Sequence, residues 1–467
     1  MNWDLMDVIE TTGATPNRLP EGKIELTGIS TDTRSLQKGE LFVALKGERF
    51  DGHAFVDTAV SKEAGAVLVQ DPAAARSEVP CLFVPDTLQA YGDLARAHRK
   101  RLKTHILALT GSMGKTTTKE MAAAILSRRF RVARTEKNEN NRVGVPKTLL
   151  AIPPDTEVAV IEMGSNIPGE IALLTEIVQP DRALLTNIAP VHLERFRNLE
   201  GVRIEKSALF WRSPQGTVRC INRDNPGIKE IPLRREWPTL TFGTRVGTDV
   251  HADGITPLGL DGIRFSLSYR GEAIDIVLPL LGLHQVRNAL AAAALGLLEG
   301  VPLSEIKTAL EAFTPPKNRL EPFFTPTGSV ILNDTYNANP VATVMALETL
   351  AMFKGSFTTV ALLGDMLELG EEAARYHEEV GAACAANGID LLGLTGDFRE
   401  SILKGAVASG FNRDRIFTFD DESSLLARLS GCLESPAMIL VKGSRALGME
   451  RYATALQSHL GGKGGTG

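Results

Sequence analysis

The chain has 467 residues, 51 of them basic and 56 acidic, with 43% hydrophobic and 23% charged side chains. That length is too great for one ordinary hydrophobic core and predicts two to four domains in a soluble globular protein. A net charge of −5 lacks the basic excess of a nucleic-acid binder, so no nucleic-acid partner is expected.

The N-terminus, MNWDLMDVIE, carries acidic residues where a secretory signal would need a basic start and an apolar run. No apolar stretch approaches the roughly 18 residues of a membrane span, so a cytoplasmic protein without membrane insertion is expected. Cys81, Cys220, Cys384 and Cys432 lie far apart without CxxC spacing and read as reduced thiols, not as a disulfide frame or zinc site.

Segment 1–102 opens with short extended runs, Leu41 to Leu45 and Ala66 to Gln70, then a helical stretch ending in the basic residues Arg96 to Arg101. That basic end is either a solvated helix terminus or a linker. Segment 103–316 begins with the apolar run His105 to Thr110, and further runs follow at Val158 to Met163 and Arg182 to Ile188. Each ends in polar residues, the alternation of a mainly parallel α/β sheet. Ile263 to Leu278 alternates in two halves around Arg270-Gly271, predicting an antiparallel hairpin. An alanine-rich helix is predicted from Gln285 to Glu299.

Prolines at 315, 316, 322 and 326 mark a boundary,. Segment 317–460 then repeats the alternation, with strands expected at Ser329 to Asn333, Thr358 to Leu363, Leu391 to Leu394, Arg415 to Phe419 and Met438 to Val441. A doubly wound, Rossmann-like domain follows. The last residues, 461–467, read as a flexible tail.

The strongest signal is Gly111-Ser112-Met113-Gly114-Lys115-Thr116-Thr117, placed between a predicted strand and a predicted helix. This is the setting of a phosphate-binding loop. Glycines let backbone N–H groups converge on phosphate oxygens, and the helix N-terminus favours negative charge. Lys115 would reach the β- and γ-phosphates of ATP, and the Thr116 hydroxyl would ligate Mg2+. The spacing is two residues shorter than the common GxxxxGK[ST]. Glu162 ends an apolar strand, the edge where ligands collect in a parallel sheet. Asn138, Asn140 and Asn141 are poor helix formers and suit a loop carrying amide donors and acceptors.

This loop, with Ile29 to Arg34, Thr135 to Pro146, Thr186 to Glu194, Gly282 to Asn288, Ile331 to Pro340, Gly364 to Gly370 and Lys442 to Arg445 at their distances, resembles the Mur ligase superfamily nearly end to end. The resemblance implies an α/β protein of three domains. These are an N-terminal UDP-substrate-binding domain (1–102), a central P-loop, mainly parallel ATPase domain (103–316) and a C-terminal Rossmann-like domain (317–460). It further implies an ATP-dependent carboxylate–amine ligase of peptidoglycan precursor assembly, working through an acyl-phosphate. The Tyr-Asn-Ala-Asn-Pro and Gly-Asp-Met-Leu-Glu-Leu-Gly runs favour UDP-N-acetylmuramoyl-tripeptide and D-alanyl-D-alanine as substrates, with a monomeric enzyme expected. A diamino-acid-adding ligase and a folate polyglutamate synthase are the alternatives within the superfamily, and a P-loop switch that hydrolyses ATP without ligation is the alternative outside it.

By the same resemblance, Glu162 is a Mg2+ ligand, His192 is a catalytic residue that ligates a second Mg2+ or orients phosphate, and Lys206 is carbamylated to supply a further metal oxygen. Asn288 would meet the adenine edge, Arg319 would clamp the nucleotide phosphates from the domain junction, and Asp334 would face the ribose or nucleotide. Ser30, Arg34 and His53 would bind the UDP moiety, Asn138, Asn140 and Asn141 the substrate in the central loop. Tyr336, Asn337, Asn339, Asp365, Lys442, Ser444 and Arg445 would line the interdomain cleft and dipeptide pocket. Four positions depart from the family pattern: Ala208, Gln285, Asn318 and Asn333 replace the usual glutamate, asparagine, glycine and aspartate.

Overall fold

A computed structural model describes residues 3–18, 22–47, 50–430 and 436–461. Cys432 and all of the predicted tail except Gly461 lie outside these residues, as do Glu48 and Arg49. Three principal sheets follow one another along the chain, together with a two-stranded ribbon near the N-terminus.

The first sheet has five strands in the spatial order Thr15–Pro16, Cys81–Phe83, Ala66–Val69, Leu41–Val43 and Ile29–Ser30. All pair in parallel except the edge strand Thr15–Pro16. The helix Thr87–Arg101 packs on it, N-capped by Asp86, whose carboxylate accepts from the Leu88 and Gln89 N–H groups. The basic run is therefore a helix end. Its position at the negative pole of the helix dipole is electrostatically favourable.

The central sheet has nine strands. Its parallel core runs Val132–Arg134, Val158–Glu162, His105–Thr110, Arg182–Leu185, Val218–Asn222, Thr239–Gly243 and Val250–Pro257. The predicted hairpin, Ile263–Tyr269 with Glu272–Leu278, adds antiparallel at one edge. Because His105–Thr110 lies between Val158–Glu162 and Arg182–Leu185, three strand ends come together at one rim. Gly111 follows the first, Glu162 closes the second, and Thr186 and Asn187 follow the third.

The last sheet is ordered Glu321–Phe324, Val330–Asp334, Ala437–Lys442, Thr358–Leu363, Leu391–Leu394 and Ile416–Thr418. Five strands are parallel and the first is an antiparallel edge. That edge strand was not expected from the sequence, because Pro322 interrupts it; an edge strand tolerates proline, needing no amide on its outer side. Buried aliphatic side chains fill both faces of the central and last sheets, as parallel strands covered by helices require.

Candidate active site

Gly111 and Gly114 have φ of +148° and +75°, values that side chains beyond glycine adopt only with strain. A Cβ at Gly111 would lie 2.0 Å from Thr186 Oγ1, and one at Gly114 2.3 Å from Asn288 Oδ1. The loop is thus seated against two neighbours that leave no room for a methyl group. Asn187 fixes its path: its backbone carbonyl accepts from the Ser112 N–H (3.0 Å), its side-chain oxygen from the Met113 N–H (2.9 Å), and its Nδ2 donates to the Met113 carbonyl (3.1 Å). Ser112 Oγ donates to the Ala189 carbonyl at 2.9 Å. The Ser112 and Met113 amides are therefore engaged by the neighbouring strand end. The amides available to an anion are those of the first turn of the helix Lys115–Leu126, which have no intrahelical acceptor.

Lys115 Nζ donates to the Gly111 carbonyl at 2.8 Å, curling over the loop. Burial and the nearby Arg319 pull its ammonium below the usual lysine value, while Glu162 opposes them. Thr116 Oγ1 donates to Glu162 Oε1 at 3.3 Å, and Asn140 Nδ2 donates to the same oxygen at 2.7 Å. Glu162 is 1% exposed, and its other oxygen, Oε2, has no hydrogen-bond partner. A buried carboxylate oxygen without a donor is costly. Its position beside a threonine hydroxyl at the foot of a phosphate loop supplies the hard oxygen donors that Mg2+ takes. The residues fit that ion.

Lys206 is 1% exposed and donates to Ser165 Oγ at 2.7 Å. Burial, with the Lys115 charge, brings its ammonium from the ordinary 10.5 to about 7, against the raising influence of Glu205 and Glu170. It therefore carries a sizeable neutral fraction near neutrality, the nucleophilic form that a carbamate requires.

From the last segment, Arg319 Nη2 donates to Thr116 Oγ1 at 3.1 Å, and its guanidinium lies 4.0 Å from the Tyr336 ring centroid. The junction arginine thus reaches the phosphate loop with Tyr336 stacked behind it. Its neighbours Asn318 and Leu320 both have positive φ, +61° and +49°. Asparagine is among the few residues that adopt this conformation readily, which accounts for Asn318 in place of glycine. Asn333 Nδ2 donates to Asn318 Oδ1 at 3.0 Å, so two of the departures from the family pattern are partners in one hydrogen bond.

Several expected ligands are placed otherwise. Asn288 is buried beneath the phosphate loop, close to Gly114, and its Nδ2 donates to Gln285 Oε1 at 2.9 Å. The helix His284–Leu298 packs on Lys115–Leu126, which seats Asn288 against the phosphate loop. His192 pairs through Nδ1 with Glu368 of the last segment, and this bond holds the Glu368 carboxyl below its usual range. It is a contact between segments here, and its ring also lies edge-on to Phe196, the ring that Lys206 Nζ approaches from 5.9 Å. His53 is turned inward, with Nδ1 on Asp51 Oδ1 at 2.6 Å and Nε2 accepting from the Gln70 N–H at 3.0 Å. Both ring nitrogens are engaged locally.

Asn141 accepts from the Val143 and Gly144 amides (3.1 and 2.9 Å), and Asn339 caps the helix Pro340–Ala351 through the Ala342 amide (2.9 Å). Asp365 accepts from the Asp397 and Phe398 amides at 2.8 and 2.9 Å, both oxygens taken up by a turn. The side-chain oxygens of these three residues thus shape the backbone. Asp334 and Lys442 form a largely buried ion pair at 2.6 Å, and Lys442 also donates to the Asn337 carbonyl at 2.9 Å. Ser444 Oγ accepts from the Leu367 amide at 2.8 Å, and the Arg445 amide donates to Asn337 Oδ1 at 3.4 Å. Asn337, Asn138 and the Arg34 side chain are exposed. Arg34 pairs with Asp32 at 2.6 Å, and Ser30 Oγ donates to the Asp32 carbonyl at 3.1 Å. One site residue escaped the sequence reading: Lys119, four residues after Lys115 on the same helix, a spacing that marks a shared face.

Residues 109–296 match the Mur ligase middle domain, 318–445 the Mur ligase glutamate ligase domain, and 25–99 the catalytic domain of the Mur ligase family. The chain belongs to the Mur ligase family. It is 39% identical over 445 residues to the UDP-N-acetylmuramoyl-tripeptide–D-alanyl-D-alanine ligase of Escherichia coli (strain K12), covering 93% of this chain and 95% of the relative. The enzyme of the same name from Bacillus subtilis (strain 168) is 35% identical, covering 92% and 93%. Among solved structures, MurF from Acinetobacter baumannii superimposes with a TM-score of 0.88 at 32% identity, covering 98% of this chain and 99% of that one. MurF ligase from Thermotoga maritima in complex with ADP gives 0.83 at 27% identity, covering 93% and 97%. A diaminopimelate ligase and a folylpolyglutamate synthase share the fold at 18% and 19% identity, with TM-scores of 0.58 and 0.62. Mur ligases are ATP-dependent amide-forming enzymes, and the phosphate loop, Glu162 and Arg319 stand together in this chain as such an activity demands.

Proposed function

We propose that this chain joins D-alanyl-D-alanine to UDP-N-acetylmuramoyl-tripeptide, making the UDP-muramoyl-pentapeptide of peptidoglycan biosynthesis at the expense of ATP. The observation that carries this reading is end-to-end identity of 30–39% with ligases of that one specificity from eight bacterial sources. The alternative ligases share only the fold.

The tripeptide carboxylate attacks the γ-phosphorus of ATP, the bond to the β–γ bridging oxygen breaks, and ADP leaves. The amine of the dipeptide then attacks the acyl carbon, a C–N bond forms as the C–O bond to phosphate breaks, and the amine loses a proton. Lys115, the first-turn amides and Arg319 offset charge on the phosphoryl oxygens, and alignment supplies most of the rest. Thr116 and Glu162 would hold Mg2+, which neutralises the triphosphate when bound, and a carbamate on Lys206 would add an oxygen to that metal environment. Ser30, Arg34, Asn138 and Asn140 are assigned to the UDP-substrate, Tyr336, Asn337, Lys442, Ser444 and Arg445 to the cleft where the dipeptide enters. Asp334 is assigned to the nucleotide side of that cleft, and His192 acts there if opening frees it from Glu368. Residues 1–102, 103–316 and 317–460 serve as UDP-substrate, ATP and dipeptide domains. The enzyme works as a cytoplasmic monomer; among the described residues no helix is long and apolar enough to cross a membrane.

Phosphate release by the purified protein with ATP, Mg2+ and UDP-muramoyl-tripeptide should require D-alanyl-D-alanine, and oxygen-18 in the tripeptide carboxylate should pass into inorganic phosphate. Dependence on glutamate or on a diamino acid, or unlabelled phosphate, would overturn the assignment.

A further inference from the structure

Lys119 is fully buried on the helix that begins at the phosphate loop. Its Nζ donates to the carbonyls of Thr135 (2.7 Å) and Lys137 (3.1 Å), lies 3.0 Å from Glu120 Oε1, and approaches Glu162 Oε2 to 3.8 Å. Thr135 also receives the Glu162 amide on its hydroxyl at 2.9 Å. The loop that starts at Thr135 carries Asn140, which bonds Glu162 from the other side. One ammonium therefore touches three elements: the phosphate-loop helix, the root of the asparagine loop and the carboxylate at the strand end.

We infer that Lys119 is a positioning residue that couples metal and UDP-substrate binding: its charge tempers the cation affinity of Glu162 while its hydrogen bonds hold the asparagine loop in place. The inference rests on the reading of Glu162 as a metal ligand. The two functions act in opposite senses, which separates them from general structural support. A neutral residue at 119 removes one of the cations beside Glu162 and leaves its charge less compensated, so a divalent cation binds more tightly. The same change releases the Thr135 and Lys137 carbonyls, so the loop loosens and the UDP-substrate binds more weakly.

Lys119→Met is compared with the unaltered full-length enzyme in three measurements: Mn2+ binding with ADP by electron paramagnetic resonance, UDP-muramoyl-tripeptide binding by calorimetry without nucleotide or metal, and hydrogen exchange over residues 135–141. Mn2+ affinity should rise about threefold to tenfold, substrate affinity should fall about tenfold, and exchange should quicken. Lys119→Arg keeps the charge and should retain the original Mn2+ affinity while still quickening exchange; it also serves if the methionine variant does not fold. Mn2+ and substrate affinities falling together, or neither changing, would overturn the inference. Glu162→Gln is the control: if it leaves Mn2+ binding unaltered, the reading of Glu162 fails, and with it the metal half of the inference, whereas the loop half is still decided by substrate binding and exchange.

Discussion

Replacing Lys206 by methionine should stabilise the protein most at low pH, by an amount that shrinks as pH rises. The ammonium is buried and its folded-state value is about 7, against 10.5 for a free side chain. Below about pH 7 both folded and unfolded chains carry the proton, and the folded chain bears the full cost of a buried charge. Between about 7 and 10.5 the folded chain is neutral there while the unfolded chain is still protonated. The unfolded state then binds more protons, so stability of the unaltered protein rises with pH. The slope is about 1.4 kcal/mol per pH unit, and the full span amounts to roughly 4–5 kcal/mol. Methionine has no proton to exchange and nearly the same shape, so its advantage declines along that slope. Thermal midpoints of both proteins, taken from pH 6.5 to 9.5 in CO2-depleted buffer to keep the amine free, measure it. A midpoint difference narrowing by about 1–2 °C per pH unit is expected for a chain of this length. Loss of the bond to Ser165 and altered packing shift the whole difference curve without tilting it, so parallel curves, or a gap that widens with pH, would refute the argument. The same variant should be nearly inactive.

Lys115→Ala should lower kcat by about a hundredfold or more while circular dichroism stays unchanged, since it removes the cation that faces the transferred phosphoryl group; retained turnover would remove Lys115 from the reaction. Gly114→Ala adds a methyl group 2.3 Å from Asn288 Oδ1 at a φ of +75°, and ADP binding by calorimetry should weaken about tenfold or more through loop distortion. Asn318→Gly keeps the positive φ but deprives Asn333 of its acceptor, so chemical denaturation should show a loss of about 1 kcal/mol, with kcat within about twofold.

The sheet was legible where the signal is local. Thr358–Leu363 and Leu391–Leu394 form where apolar runs stop at polar residues, because a buried parallel strand needs both faces apolar. The phosphate loop and Glu162 were legible for the same reason: each lies at the end of such a run, so chain position alone fixes the rim on which it stands. The side chains read differently from their placement are polar groups with a nearby backbone amide to satisfy. Asn141 and Asn339 precede a turn and a helix, where short polar side chains bond the amides just ahead of them,, and sequence alone gives no ranking between that use and a substrate contact. Asp365 instead bonds the Asp397 and Phe398 amides, far along the chain. Asn288 and His192 depend instead on how two distant elements cross, which periodicity does not encode.

Asn318 and Asn333 show why departures from a pattern are better weighed in pairs. Taken singly, one costs a glycine at a junction and the other a carboxylate, and each weakens the resemblance. Joined by a hydrogen bond at 3.0 Å, they form one feature. Asn318 adopts the left-handed backbone that glycine would otherwise supply, and a neutral Asn333 can donate to it where an aspartate would present a second acceptor. The remaining carboxylate, Asp334, accepts from the Leu320 amide at 3.2 Å and from Lys442, so the residues on both sides of Arg319 are anchored to consecutive positions on one strand. An arginine held in this way meets the phosphate loop in a fixed orientation. The exchange of two side chains thus preserves the placement on which the nucleotide contact depends, although neither residue touches the nucleotide loop itself.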